Sequence, residues 1–182
     1  MDSLFAPWRM DWVTRDRSGT SEHSDCIFCA LPDHGEDRRN NVVARSDKVY
    51  LLLNNMPYNP GHLMAIPYEH SGALRTLDDE CLLDCMKTTQ LATRALDKSL
   101  SPDGFNIGFN IGAAGGASIT EHLHMHIIPR WRSDTSFMPL TANTAIVEEA
   151  VKETYDRLRG ALLEHEEVSA IDDKNAVDIS HI

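Results

Sequence analysis

Three histidines stand two residues apart in the segment EHLHMHIIPRW, which covers residues 121–131. Successive side chains of a strand alternate between its two faces, so His122, His124 and His126 would share one face. Leu123 and Met125 would then lie on the other face. In a helix, side chains two residues apart do not lie side by side. The spacing therefore predicts a strand with one apolar face and one face that carries a row of imidazoles.

Such a row of imidazoles permits three interpretations. The rings can be packed or exposed without any chemistry. They can bind a metal, because strand histidines at positions i and i+2 are both able to reach one zinc ion. One ring can also attack a phosphoryl centre as a nucleophile, while its neighbours donate hydrogen bonds near neutral pH. The residues alone leave these alternatives open.

The four cysteines form two pairs of different character. Cys26 and Cys29 make a Cys-x-x-Cys motif, for which metal binding is favoured over a redox pair or two ordinary buried thiols. A structural zinc site needs two further ligands. Cys81 and Cys85 are one helical turn apart, beside apolar residues, and are predicted to belong to the core.

Composition restricts the class of function. The chain has 182 residues, enough for one domain with a real core, and a net charge of −11. That charge disfavours a broad nucleic-acid-binding face, although a small phosphate ligand needs only a few local donors. No apolar run reaches about 18 residues, and the N-terminus lacks the pattern of a signal peptide. We therefore expect a cytoplasmic protein that binds neither membrane nor nucleic acid polymer.

Hydrophobic patterns predict an α+β fold with an antiparallel sheet. NVVARS and KVYLLLN form a predicted hairpin, HLMAIPYEH a third strand, and FNIGFNIG a fourth strand before the Gly-rich segment AAGGAS. The apolar positions from Thr76 to Leu100 fit one face of a long helix. Ile146, Val147, Ala150 and later apolar residues up to Leu162 predict a final amphipathic helix. The acidic segment after about His165 is expected to be a loose tail.

Several motifs together resemble the histidine triad (HIT) superfamily of nucleotide hydrolases and transferases. His-Leu-His-Met-His-Ile-Ile is similar to the triad signature, and LLLNNMPYNPGHLMAIP to the first conserved block. CIFC, FAPWRMDWV and HIIPRW resemble segments of members that process diadenosine polyphosphates. The likeness runs from about residue 4 to residue 140.

The resemblance implies a fold of about five antiparallel strands with a long helix and a C-terminal helix. It places a single domain in residues 1–164, with residues 1–41 as an N-terminal arm that carries the Cys-x-x-Cys knuckle, and leaves residues 165–182 as an acidic flexible tail. Family members form two-fold dimers through the long helix and an adjoining strand. We expect a homodimer of this kind with one continuous sheet.

The resemblance also implies roles for individual residues. His124 would be the nucleophile that forms a nucleotidyl-histidine, His126 the outer triad member that contacts the transferred phosphate, and His62 a supporting residue. Asn54 would contact the ribose. Phosphate oxygens would be held by Asn110, Gly115, Gly116 and Ser118. The first triad residue, His122, would also bind a structural zinc ion together with Cys26, Cys29 and His70.

One departure from the family pattern bears on the reaction. Many dinucleoside polyphosphate hydrolases of the family carry Gln four residues before the first triad histidine, where this chain has Ser118. That difference favours phosphorolysis, or transfer to another acceptor, over plain hydrolysis. The reaction that we expect from the resemblance is cleavage of nucleoside or dinucleoside polyphosphates at the α-phosphate, with phosphorolysis of diadenosine tetraphosphate to ADP and ATP as an alternative. Hydrolysis of adenosine phosphoramidates, a nucleotide sensor with little turnover, and a hydrolase with a three-histidine metal site are further alternatives.

The residues that would contact the base are left open by the sequence. Any of several aromatic side chains is a candidate to stack on it, and so are two apolar residues of the second strand: Trp8, Trp12, Tyr58, Trp131, Val49 and Leu51.

Overall fold

The computed structural model describes residues 26–33, 35–132, 134, 151–171 and 176–180. Within them the elements follow the predicted order, with short helices in the segment that carries the Cys-x-x-Cys motif. The helices are α1 (Ile27–Asp33), α2 (Asp37–Asn40), α3 (Asp79–Leu100) and α4 (Val151–Leu162). The strands are β1 (Val42–Arg45), β2 (Val49–Leu53), β3 (Leu63–Pro67), β4 (Gly104–Phe109), β5 (Met125–Arg130), β6 (Val168–Ala170) and β7 (Val177–Ile179).

The strands form one mixed sheet in the order β4-β5-β3-β2-β1-β7-β6. The α+β class and the hairpin of β1 and β2 are confirmed. The expected number of about five strands is wrong, because the described residues alone form seven. The expectation of a purely antiparallel sheet is also wrong, since β1 pairs with β7 in parallel.

The two additional strands come from the segment that the sequence analysis assigns to a loose tail. Val177 and Ile179 are buried on either side of the exposed Asp178, which is the alternation of a half-buried strand. The backbone N–H of Ala176 donates to Oδ2 of Asp37 at 3.2 Å. The expectation of a loose tail is therefore wrong for 168–170 and 177–179, and the sheet extends past residue 164.

The sheet has an apolar core on each face. On one face α3 and α4 cover alternate strand residues, among them Leu51, Leu53, Leu63 and Ile127. On the other face α1 packs against the intervening residues through Phe28 and Leu31, and the strand residues there are Val42, Tyr50, Leu52, Met64 and Ile66. The histidines lie at the end of this second core.

Helix α3 begins and ends with capping interactions. The Asp78 carboxylate accepts from the backbone N–H of Cys81 at 2.7 Å, and Ser101 ends the helix in a left-handed conformation. Cys81 and Cys85 are buried in the core, as predicted. Met86, the next residue after Cys85, is 51% exposed and lies on the outer side of the helix.

Helix α4 packs on the sheet through Leu158 and Leu162, and the hydroxyl of Tyr155 donates to the carbonyl of Val42 at 2.9 Å. The predicted start of this helix near Ile146 lies outside the described residues, as do residues 1–25 of the arm. None of the described helices is long and apolar enough to cross a membrane.

Asp37 connects the segment that carries the Cys-x-x-Cys motif, the sheet and strand β7. Its carboxylate accepts from Arg45 at 2.6 and 3.1 Å, and Arg45 also donates to the carbonyl of Pro32. The Asp37 side chain is only 5% exposed, so its removal would leave a half-buried guanidinium without its counter-charge.

We expect Asp37→Ala to lower the free energy of unfolding by about 2–3 kcal/mol, measured by urea denaturation. Glu36→Ala is the matched control, because its ion pair with Arg39 is exposed and contributes less than about 1 kcal/mol. Equal losses for the two variants would contradict the role of Asp37.

Candidate active site

The three triad histidines lie on the face of the sheet that α1 covers. His126 belongs to β5 and pairs with Met64 of β3. His122 and His124 precede the strand, which begins at Met125, so the predicted strand is shorter than expected at this end. The alternation is nevertheless retained, because Leu123 and Met125 are buried in cores next to α3.

The hydrogen bond of His124 determines which of its nitrogens is free. Nδ1 of His124 lies 3.0 Å from the backbone carbonyl oxygen of His122. A carbonyl oxygen only accepts, so Nδ1 carries the proton and donates it. In a neutral ring Nε2 is then unprotonated, with a lone pair available to attack an electrophile. The geometry thus gives His124 the tautomer that a nucleophile requires.

His62 and His126 form a second, coupled pair. The backbone N–H of Tyr58 donates to Nδ1 of His62 at 3.2 Å, so this nitrogen is an acceptor and Nε2 carries the proton. Nε2 of His62 lies 2.9 Å from Nδ1 of His126 and donates to it. His126 therefore carries its proton on Nε2. This atom lies 3.4 Å from the side-chain nitrogen of Asn110, which also donates, so the contact is not a hydrogen bond on this tautomer and the Nε2 proton remains available. One end of this pair is thus a hydrogen-bond donor directed into the site.

Burial keeps these rings neutral. Desolvation, together with the smaller effects of the nearby His126 and His124, lowers the pKa of His62 to about 3. Burial, with a smaller effect of His124, lowers the pKa of His126 to about 4. Burial also lowers the pKa of His124, although the bond to the His122 carbonyl opposes this shift. The pair His62–His126 is therefore a donor of hydrogen bonds at neutral pH without being a cation.

The structure brings Asn54 to the site but uses its amide in an unexpected way. The side-chain nitrogen of Asn54 donates to Nδ1 of His62 at 3.2 Å, and its oxygen accepts from the backbone N–H of Met56 at 2.9 Å. Asn54 thus helps to fix the tautomer of His62. Its contact with a ribose stays a prediction.

The Gly-rich loop lies next to Asn110. A Cβ atom added to Gly116 would be 4.0 Å from the Asn110 amide, and Gly116 adopts φ of +89°, which favours glycine. The backbone N–H groups of Gly115, Gly116 and Ala117 are already bonded within the loop. An anion cradle built from these amides is therefore not formed here. The side chain of Ser118 is exposed on this loop.

A second cluster lies beside the triad, where Cys26, Cys29, His70 and His122 place one ligand atom each within 4.8 Å of all the others. Nδ1 of His122 is 3.3 Å from Sγ of Cys26, and Nδ1 of His70 is 3.3 Å from Sγ of Cys29. Tetrahedral zinc with bonds of roughly 2.0–2.3 Å requires similar ligand separations. The residues therefore fit a structural zinc ion.

One further contact agrees with a cation at this position. His122 donates the proton on its other ring nitrogen, Nε2, to the carbonyl of Pro67 at 2.8 Å, which is the usual outer contact of a metal-bound histidine. Burial and the neighbouring Cys26 raise the pKa of the Cys29 thiol to about 12. Binding of zinc to this thiol would therefore release its proton.

Comparison with known proteins connects this geometry to a family. A family model described as "HIT domain" matches residues 36–133, more than half of the chain. The chain belongs to the HIT family. A protein of Mycobacterium tuberculosis named AP-4-A phosphorylase is 35% identical over 159 residues, which cover 85% of this chain and 80% of that protein. The HIT assignment thus agrees with the resemblance that the motifs show.

Two other HIT relatives differ in what their names describe. A bis(5'-nucleosyl)-tetraphosphatase of Schizosaccharomyces pombe is 32% identical over 95 residues, which cover 52% of each chain. The solved structure of a Zn-bound histidine triad family protein from Mycobacterium smegmatis is 27% identical, with a TM-score of 0.63 over 76% of this chain and 94% of that one. The relatives are thus named as nucleotide-processing enzymes, and one HIT structure contains zinc.

Sequence reasoning did not identify Phe28 as a site residue. Phe28 lies between Cys26 and Cys29 in the sequence. Its ring contacts the rings of His122 and His124, with centroid distances of 5.6 and 4.9 Å. The backbone carbonyl of Phe28 accepts from the hydroxyl of Tyr50 at 2.7 Å. The sequence signal that could have identified Phe28 is its position between two predicted metal ligands, because a residue there must lie close to the candidate metal site.

The residues that the sequence analysis offers as contacts of the base lie in different parts of the structure. Tyr58 lies at the site, and Trp131 is half-buried near the end of β5. Trp8 and Trp12 lie outside the described residues. The proposal of Val49 or Leu51 is wrong, because both are buried in cores on the α3 side of the sheet.

The zinc site predicts one zinc ion per chain in the purified wild-type protein and its loss in Cys26→Ser, measured by metal analysis. Cys81→Ser is the matched control, since its thiol is buried outside the cluster, and it should retain the metal. A folded wild-type protein without zinc would contradict this assignment.

The lowered pKa values predict that the rings of His62 and His126 do not titrate between pH 8 and pH 5, measured by NMR of the ring signals. The reference is the protein unfolded in urea, where histidines titrate at about pH 6.5. Because the unfolded chain alone binds these protons between about pH 6.5 and pH 4, the free energy of unfolding should fall as the pH decreases through that interval. Titration of the folded rings near pH 6.5 would disprove it.

Proposed function

We propose that the protein cleaves nucleoside or dinucleoside polyphosphates at the α-phosphate through a covalent nucleotidyl intermediate on His124. The observation that supports this most directly is the bond from Nδ1 of His124 to the carbonyl of His122, which leaves Nε2 as the free nucleophile. The names of the HIT relatives agree with a nucleotide substrate.

In the first step Nε2 of His124 attacks the α-phosphorus, and the bond from phosphorus to the bridging oxygen of the leaving group breaks. The attacking imidazole of His124 becomes positively charged, because Nε2 is now bonded to phosphorus while Nδ1 keeps its proton. The carbonyl of His122 at 3.0 Å accepts that proton's hydrogen bond and stabilises the charge. Because Nδ1 of His126 accepts from His62, the proton of His126 is on Nε2. This Nε2–H donates to the oxygen on which negative charge develops.

In the second step an acceptor attacks the same phosphorus and releases His124. Water as the acceptor gives hydrolysis, and inorganic phosphate gives phosphorolysis. Phosphate is the acceptor we favour, because of Ser118 and of the relative named AP-4-A phosphorylase. Diadenosine tetraphosphate would then yield ATP as the leaving group and ADP from the adenylyl intermediate.

A hydrolase that uses all three histidines on one metal is disfavoured by the arrangement. Nδ1 of His122 faces the thiols of Cys26 and Cys29, and its Nε2 is bonded to Pro67. Among the described residues, His124 and His126 belong to no cluster that could hold a metal. We therefore assign a structural role to zinc, held by the two cysteines with His70 and His122.

We also propose the two-fold dimer. In the described part of the chain β4 pairs only with β5 and lies at the edge of the sheet. Ile107 on β4 and Leu83 and Met86 on the outer side of α3 are about half exposed. An unpaired edge with apolar neighbours is a surface that a second copy would cover.

The test is a product assay with diadenosine tetraphosphate, with and without inorganic phosphate. We expect ADP and ATP with phosphate, and a fall in turnover of about a thousandfold or more in His124→Ala because the nucleophile is removed. His165→Ala, a histidine at the opposite end of the sheet, is the control and should keep wild-type turnover.

The result also separates the alternatives. AMP and ATP, or two ADP, without phosphate would identify a hydrolase instead of a phosphorylase. Wild-type turnover in His124→Ala would disprove the covalent mechanism. Nucleotide binding with no product in either tube would support a sensor.

A further inference from the structure

Tyr58 is an exposed aromatic ring that is held against the catalytic pair. Its ring stacks on that of His62, with centroids 4.9 Å apart and an angle of 29° between the planes, and also contacts His126 at 5.9 Å. At the same time the residue is 60% exposed. One face of the ring thus covers His62, and the remainder is open to solvent.

The loop that carries Tyr58 is fixed at several points. The backbone N–H of Tyr58 donates to His62. The side chain of Asn59 donates to the carbonyl of Pro129 at 3.0 Å and to Oδ2 of Asp134 at 2.8 Å. Pro57 and Pro60 restrict the backbone on both sides. The exposed ring is therefore presented at a defined position, with the exposed Met56 two residues before it.

The rings of the site form a row, and Tyr58 lies at one end of it. Phe28 contacts His124, His124 contacts His126 at 4.8 Å, and His126 contacts both His62 and Tyr58. The zinc cluster lies at the Phe28 end. Tyr58 is consequently next to the donor His126, at the end of the row away from the zinc cluster.

We propose that Tyr58 stacks on the base of the departing nucleotide when the substrate is a dinucleoside polyphosphate. This inference rests on the proposed function and adds the class of leaving group. Among the described residues, the polar groups named at the site are neutral imidazoles and amides, which can hold the leaving polyphosphate by hydrogen bonds. An aromatic face offers additional binding that tolerates any base, because every base has a π-face.

The alternative is that the ring only covers His62. A cover would affect every substrate alike, because His62 and His126 serve the transferred phosphate whatever the leaving group is. Stacking would affect only substrates with a second base. The ratio of two affinities therefore distinguishes the two roles, since any general disturbance of His62 cancels in it.

The experiment measures dissociation constants by calorimetry in the His124→Ala protein, which does not consume its ligands. The ligands are diadenosine tetraphosphate and adenosine 5'-tetraphosphate, which differ by one adenosine. We expect Tyr58→Ala to reduce the preference for the dinucleotide by about tenfold. Tyr58→Phe should retain the preference because it keeps the ring, and Tyr58→Leu should lose it.

Each outcome separates this inference from the proposed function. If Tyr58→Ala leaves the ratio of the two dissociation constants unchanged, whether or not both affinities fall, the stacking role is overturned. This holds even if the wild type cleaves the dinucleotide. A reduced ratio supports it, even if the protein with His124 intact releases no product and the catalytic proposal fails. Failure of both ligands to bind overturns both proposals.

Discussion

Four buried imidazoles on one side of the sheet impose the main constraint on this structure. A buried polar nitrogen without a partner costs about 1–3 kcal/mol, so each of these rings places at least one of its nitrogens in a hydrogen bond. His122 donates to Pro67 and His124 to the backbone of His122. His62 accepts from Tyr58 and donates to His126. The tautomers that give the site its chemistry are thus consequences of how the rings are buried.

This requirement explains why the site needs the pairing of β3 with β5. His62 directly precedes β3 and His126 lies in β5, so only the antiparallel register that pairs Met64 with His126 brings the two rings together. Pro67, at the far end of β3, accepts from His122 at the opposite end of the row. The β3 and β5 segments therefore hold both ends of the row of imidazoles. A shift of their register by one residue would separate His62 from His126 and His122 from Pro67.

The sequence was most informative where one face of a strand differs from the other. The alternation from His122 to Ile127 predicted which side chains share a face, although the strand itself begins only at Met125. In β2 both faces are apolar, so period-two reasoning had no signal. The error on Val49 and Leu51 followed from this. The four residues of the candidate metal site lie up to 96 residues apart, so they were grouped from the family resemblance and not from their spacing.

Other features depend on tertiary contacts that no local pattern encodes. The strand Val177–Ile179 has only three residues and pairs in parallel with β1, next to a carboxylate that accepts from Ala176. The acidic composition around it gave the opposite prediction. The Gly-rich loop was expected to offer its amides to an anion, yet its left-handed Gly112 and Gly116 close a turn that uses those amides internally.

The proposed nucleophile and the proposed donor of the site are oriented by different parts of the chain. His124 is oriented by the backbone of His122, whose ring faces the thiols of Cys26 and Cys29. His126 is oriented by His62, which the loop from Asn54 to Tyr58 holds. In the proposed mechanism, a change in the cysteine segment would therefore first affect bond formation by His124, whereas a change in the loop would first affect the hydrogen bond that His126 donates. Since the centroids of the two rings are 4.8 Å apart, the proposed mechanism requires both groups to act on the same phosphate.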